Sequence, residues 1–407
     1  MASFLRGLFL SSLAILSVQA TPSRPRWIGR RSVTVDLVRN PSYAPNGPAN
    51  YVRALQKWGV TVPDDLTNSF IGDSGDVNAA SIKGDREYLS RVGFGTPLQY
   101  LNMDLDTGSA DVWVYSSETQ GVAPGSRPVY VIENSITAKK INGSVWRISY
   151  GDGSTAYGTA YHDNIDIGGI TVRNAVVESA LSISEELLED KFLDGIFGLP
   201  YALSSKVSPR VPTVLSTLTK QLDQKLFTVD LKYHADDGVY TFGYIDKDRY
   251  IGDIHYTPLV PDAQYWQLNF TGIHVEPQNV WYLYQWTAIV DTGTSLMLLS
   301  DNIVKYYYTM VPEAKQDAFT GGLWVYPCNI SRLPDFDLGF GDHVVTVPGK
   351  YMNYTTLTND PTTCMGGLQS FGTDDFGILG DIFLKATYTV FDIAKGRVGF
   401  ARKQLDL

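Results

Sequence analysis

Two aspartates 185 positions apart stand in nearly the same surroundings, Leu105-Asp106-Thr107-Gly108-Ser109 and Val290-Asp291-Thr292-Gly293-Thr294-Ser295. Each follows an apolar run and precedes a Thr-Gly turn. Two carboxylates brought face to face cannot both ionise easily, so the pair tends to hold one proton and titrates as a unit. Such a pair can split an amide with water: the ionised carboxylate takes a proton from the water while the protonated one donates to the carbonyl oxygen. This chemistry calls for no metal and no cofactor. Gly108 and Gly293 let the backbone turn tightly beneath each carboxylate. Ser109 and Thr294 offer hydroxyls to the outer oxygens, and Thr107 and Thr292 are placed to bond across the junction of the two loops. A lone Asp-Thr-Gly is a weak signal, and two Asx-type turns without chemistry are the bland alternative; two matched copies make the chemical reading the stronger one.

The elements that must position these loops also repeat. Asp194-Gly-Ile-Phe-Gly198 follows the first aspartate, with Gly198 at an offset of 92; Phe376-Gly-Ile-Leu-Gly380 follows the second, with Gly380 at an offset of 89. An internal duplication accounts for this, with one lobe per half and a site between the lobes. Runs at 88–95, 101–105 and 112–115 alternate or are apolar and are bracketed by turn residues, as strands are. Residues 145–150 run into Gly151-Asp152-Gly153-Ser154, the tip of a hairpin. Helical stretches are few: 302–311 is the best candidate in the body, and 51–58 has helical apolar spacing with Gly59 to stop it. The expected fold class is therefore all-β, mostly strands with a few short helices.

The chain of 407 residues is 44% hydrophobic and long enough for two cores, and its 12% aromatic content with 25 Tyr suits a β-rich protein. Residues 1–20 read as a secretory signal, with Arg6, an apolar stretch from Leu8 to Leu16 and Val18-Gln19-Ala20 at the cut. That apolar run is too short to span a bilayer, and no membrane anchor is expected. Secretion also fits four sequons, at Asn142, Asn269, Asn329 and Asn353. The two cysteines, Cys328 and Cys364, read as one disulfide in an extracellular protein, or else as two free buried thiols. Residues 1–83 carry nine of the 33 basic residues and five of the 43 acidic ones, which leaves 24 basic and 38 acidic residues for the rest. A basic leader on an acidic body suggests an electrostatic latch, and the acidic balance argues against nucleic acid as a partner. Arg30-Arg31 is a dibasic pair open to processing, and the small, polar stretch from Pro63 to Ala80 is a linker that tolerates cleavage.

From Glu87 to Ala401 the chain resembles the pepsin-like aspartic peptidases, and among them the secreted fungal enzymes of the penicillopepsin and aspergillopepsin type. The resemblance rests on Asp106-Thr-Gly-Ser-Ala-Asp-Val-Trp-Val114, Tyr150-Gly-Asp-Gly-Ser154, Asp194-Gly-Ile-Phe-Gly-Leu199, Asp291-Thr-Gly-Thr-Ser295 and Ile378-Leu-Gly-Asp-Ile-Phe383. It implies a bilobal fold with a substrate cleft between pseudo-twofold lobes and makes Asp106 and Asp291 the catalytic pair. Tyr150, Gly151 and Asp152 become the tip of a flap over the peptide, with Trp113 as the support of Tyr150. It also implies that Cys328 and Cys364 form a disulfide of the C-terminal lobe. The chain then divides into a signal at 1–20, a leader at 21–83 whose end falls within 69–83, an N-terminal lobe at 84–250 and a C-terminal lobe at 251–407.

The resemblance further implies a zymogen inhibited by its own leader, with Lys57 as the plug between the carboxylates and Lys83 as the second choice. It implies cleavage of protein and peptide substrates in acid, with large apolar side chains flanking the cut; Phe192 and Ile196 are named as pocket residues from their position alone. Asp104 lies two residues before Asp106, on the same side of a strand; with Asp152 it would bias a pocket toward Lys or Arg, unless it is simply hydrogen-bonded or solvated. A monomer is expected, since one chain holds both halves of the site. The rival from another class is a catalytically silent pepsin-fold inhibitor or binding protein. A glycosidase also uses paired carboxylates but needs no duplicated loop. The Gly-x-Ser-x-Gly of serine hydrolases and the His-Glu-x-x-His of zinc peptidases are absent from the sequence.

Overall fold

The computed structural model describes residues 31–39, 47–60, 62, 88–123, 125–149, 155–184, 188, 192–233, 237–357, 360–372 and 376–405. The signal segment, Lys83, Tyr150, Gly151 and Asp152 lie outside these residues. The architecture is mostly β, with short helices, as the bilobal pepsin-like fold requires.

Among the described residues the largest sheet has fourteen strands. One part is built from Tyr88–Phe94, Gln99–Asp106, Val112–Val114, Gly195–Gly198 and the long hairpin Thr155–Ile167 and Ile170–Ile183. The other part is antiparallel and joins Leu226–Asp230 and Val239–Phe242 to the chain's last strands, Tyr388–Asp392 and Arg397–Arg402, with Ile251–Pro258 at the edge. The leader strand Val33–Arg39 connects the two parts, antiparallel to Val239–Phe242 on one side and to Tyr88–Phe94 on the other. Its Val33, Val35 and Leu37 are buried, as alternation on a half-buried strand predicts.

The second half carries sheets of five, three and four strands. Its five-stranded sheet repeats the local geometry of the first half. Gln99–Asp106 runs parallel to Gly195–Gly198, with Asp106 opposite Gly198; Trp286–Val290 runs parallel to Phe376–Leu379, with Val290 opposite Leu379. In each half a third short strand, Val112–Val114 or Met297–Leu299, closes antiparallel on that pair. The duplicated offsets in the sequence are thus the spacing of two equivalent strand pairs.

The leader helix spans Gly47–Lys57 and buries Gly47, Asn50, Tyr51, Ala54 and Leu55, one face at helical spacing. It begins four residues before the expected 51–58. Pro48 falls in the first turn, where its missing N–H costs nothing, so a turn-like Asn-Gly-Pro sequence opens the helix instead of blocking it. Gly59, at φ +72°, ends it: Gly59 N–H donates to Gln56 O at 2.9 Å and Val60 N–H to Leu55 O at 2.9 Å, the paired bonds of a Schellman cap. The helix expected over 302–311 spans Asp301–Tyr308. Cys328 and Cys364 are joined, with their Cα atoms 5.0 Å apart, and tie the strand Leu323–Pro327 to Asp360–Gly366. All four sequon asparagines are exposed.

Candidate active site

Asp106 ends the buried strand Gln99–Asp106, and Asp291 directly follows the buried strand Trp286–Val290. The two loops after them are tied reciprocally. Thr107 N–H donates to Thr292 Oγ1 at 3.0 Å and Thr292 N–H to Thr107 Oγ1 at 3.0 Å. Each hydroxyl then donates into the other half: Thr107 Oγ1 to Val290 O at 2.9 Å, and Thr292 Oγ1 to Leu105 O at 2.5 Å. These buried bonds hold two carboxylates together that would otherwise repel. Asp106 is 2% exposed and Asp291 0%.

Each carboxylate accepts the amide two residues on, Gly108 N–H to Asp106 Oδ1 at 2.8 Å and Gly293 N–H to Asp291 Oδ1 at 3.1 Å. The glycines are needed here for space rather than for a left-handed φ. A Cβ on Gly108 would stand 2.5 Å from Asp291 Oδ1, and one on Gly293 would stand 2.3 Å from Asp106 Oδ1. Each glycine leaves room for the opposite carboxylate. The outer hydroxyls differ: Thr294 Oγ1 donates to Asp291 Oδ2, whereas the buried Ser109 Oγ makes no hydrogen bond of ordinary geometry, although its proximity favours the ionised form of Asp106.

Lys57, the last residue of the helix Gly47–Lys57, enters this site. Its Nζ lies 3.0 Å from Asp106 Oδ1 and 3.1 and 2.9 Å from the two oxygens of Asp291. Burial works against the ammonium, but both carboxylates outweigh it and hold its pKa above the usual lysine value. Burial also works against ionisation of Asp106, yet Lys57 and Ser109 hold Asp106 below the ordinary carboxylate range. Asp291 is pushed above that range by burial and by the charge of Asp106, with Lys57 opposing. The two aspartates therefore differ in proton affinity while one cation bridges them.

Beside the dyad is a small cavity of about 50 Å³. Asn50, Arg53, Ala54 and Lys57 line it from the leader helix, and Asp104, Asp106, Ile196 and Ser295 are among the residues facing them. Asp104 and Asp106 thus open to one space, as strand alternation predicts. Phe192 is half-buried in the turn before Gly195 and lies outside this lining. Trp113 is fully buried, edge-on to Tyr115 at 5.5 Å and stacked on Trp146 at 6.4 Å. Several neighbours were not legible in the sequence. Tyr240 donates to Leu105 O at 3.2 Å from a strand far along the chain. Trp58 packs edge-on against Tyr265 at 5.0 Å and near Phe376 at 6.2 Å. For Arg53, the signal was its place four residues before Lys57 on a helix.

The sequence also compares closely with known proteins. The family model described as eukaryotic aspartyl protease matches residues 87–403. Aspergillopepsin-1 of Aspergillus fumigatus is 40% identical over 379 residues, which cover 91% of this chain and 93% of that protein. Penicillopepsin-1 of Penicillium rubens is 38% identical over 389 residues, covering 95% and 96%. Endothiapepsin of Cryphonectria parasitica is 37% identical over 399 residues, covering 95% and 93%.

Proposed function

Since the chain belongs to the eukaryotic aspartyl protease family, we propose that it is a secreted acid endopeptidase made as a zymogen, with Asp106 and Asp291 as its catalytic dyad. The observation that carries this reading is the bridging of both carboxylates by one leader lysine, at 3.0 and 2.9 Å. A site that must be plugged by a cation is a site that holds paired negative charge. With the leader gone, the dyad holds one proton and a water. The ionised carboxylate takes a proton from the water, the protonated one donates to the peptide carbonyl oxygen, and a tetrahedral diol forms. On collapse the carboxyl that took the water's proton gives it to the leaving nitrogen, the C–N bond breaks, and a diol hydroxyl returns its proton to the other aspartate as the new carboxyl forms, so the dyad again holds one proton.

The leader, residues 21–83, is an intramolecular inhibitor cut within 69–83. Its docking needs ionised carboxylates around Lys57, so it is firm near neutral pH. As pH falls, the dyad and the surface carboxylates take up protons and the leader loosens. Substrates are proteins and peptides with large apolar side chains around the cut. Asp104, with Asp152 in the flap led by Tyr150 and Gly151, admits Lys before the cut; the cavity shared by Asp104 and the leader's Arg53 supports this. The lobes 84–250 and 251–407 act together as a monomer. The test is hydrolysis of a denatured protein at about pH 4 by the wild type and by Asp106→Asn. Cleavage only by the wild type supports the dyad, and equal cleavage by both excludes it.

A further inference from the structure

Behind the Asp106 loop lies a second pair of buried carboxyls that the hydrolysis does not use. Asp111 closes the loop that begins at Asp106 and is 4% exposed; Glu178, on the strand Ile170–Ile183, is 2% exposed. Glu178 is level with Trp113 in the parallel pairing of that strand with Val112–Val114, and its carboxyl is within hydrogen-bonding reach of Asp111. Asp111 also accepts Lys206 N–H at 2.6 Å, and its own carbonyl accepts Gly198 N–H at 2.9 Å. It therefore fastens the end of the loop to two other segments. Glu178 Oε1 accepts Ser205 Oγ at 3.3 Å, while the buried Oε2 has no donor. An ionised Glu178 would leave that oxygen unsatisfied beside a second negative charge. A protonated Glu178 instead donates to Asp111 and satisfies both.

The surroundings supply no counter-charge. Among the described residues, neither carboxyl has a salt-bridge partner. From the strand Thr155–Ile167 the residue opposite Glu178 is Ala160; the next titratable groups there are Tyr161, which donates to Glu118, and His162. From Val112–Val114 come the Val112 N–H and the Trp113 position. On the facing segment Lys206 and Arg210 are exposed, and Arg210 bonds Ser204.

We propose that Asp111 and Glu178 are a positioning pair that fastens the Asp106 loop only while they share a proton, and that losing this proton restricts the mature enzyme to acid conditions independently of the catalytic dyad. The proposal rests on the peptidase reading for its consequence but not for its structural content. Burial first, and then the charge of Asp111, raise the Glu178 pKa well above the usual glutamate value. The sign follows: for an acid whose pKa is raised by folding, stability is fullest below the unfolded value of about 4.3 and falls as pH rises from there to the folded value.

The direct test leaves both residues of the pair unaltered. With glutamate carboxyls labelled by carbon-13, infrared spectra of the intact Asp106→Asn chain at about pH 6 should retain one protonated glutamate. Its absence would overturn the proposal whether or not the protein is a peptidase. The functional arm uses Glu178→Gln, which keeps a donor toward Asp111, and Asp111→Asn. Each mature variant is held at about pH 7 and at about pH 4, and its loss of activity is normalised to its own starting rate. Near neutrality the loss should slow at least several-fold relative to wild type, with little change in acid. Loss at the wild-type rate in both variants would contradict it. Should a variant give no active enzyme, its thermal midpoint in the Asp106→Asn background is followed from about pH 4 to 7; a fall as steep as that of the parent counts against the pair.

Discussion

Several close approaches in the site are between groups of the two halves, so single atoms decide whether it forms. Gly293 shows this best. Its Cβ position is 2.3 Å from an Asp106 oxygen and 2.7 Å from Lys57 Nζ, so Gly293→Ala must push the Asp106 carboxylate aside. A displacement of about 1 Å at a reacting group lowers rate by about 100-fold. Steady-state kinetics of the matured variant should show a fall in kcat of at least that order, with KM little changed. The sequence indicated the residue types here but not the reason for them. The Thr-Gly dipeptide suggested a turn requirement, whereas the actual demand for a bare Cα comes from the aspartate of the other half.

At the scale of elements, the leader helix is held by packing as well as by charge. Tyr51 and Leu55 are buried on its inner face, Tyr51 OH donates to Ser370 O at 2.7 Å, and Trp58 closes on Tyr265. Leu55→Ala should weaken docking by about 2–5 kcal/mol, read as a shift of the acid-activation midpoint toward neutral pH; an unmoved midpoint would mean that Lys57 alone holds the leader. Gly59 was legible as a stop because a helix needs a left-handed residue after its end. The start at Gly47 was not, because proline and glycine signal turns unless tertiary packing recruits them: a Cβ at Gly47 would overlap Met365 Sδ at 2.2 Å. The leader strand Val33–Arg39 was unread altogether. Its alternation is plain in Val33, Val35 and Leu37, yet a segment expected to be removed is not where a sheet strand is sought.

For the whole molecule, the duplicated offsets of 92 and 89 residues map onto two equivalent strand pairs, and this repeat made the architecture readable. The long-range pairing was not readable: the last strands join Leu226–Asp230 across about two fifths of the chain, and no local pattern encodes that. The disulfide bears on one half only. It closes a 36-residue step, for which loop entropy suggests about 4 kcal/mol, so replacing both cysteines by Ala should lower the unfolding midpoint. The dyad, which it does not touch, should keep its kcat at moderate temperature; loss of kcat without loss of stability would show that the halves are coupled in another way.

The central claim is that a paired-aspartate site is kept silent by Lys57 until acid releases the leader. The most direct measurement follows leader loss and substrate cleavage together, at about pH 7 and about pH 4, for wild type, Lys57→Met and Asp106→Asn. The account predicts that wild type is intact and silent near neutrality and becomes cut and active in acid. Lys57→Met should lose its leader at a pH closer to neutral, and Asp106→Asn should neither process itself nor cleave substrate. Wild-type activity with the leader still docked, or unchanged cleavage by Asp106→Asn, would contradict it.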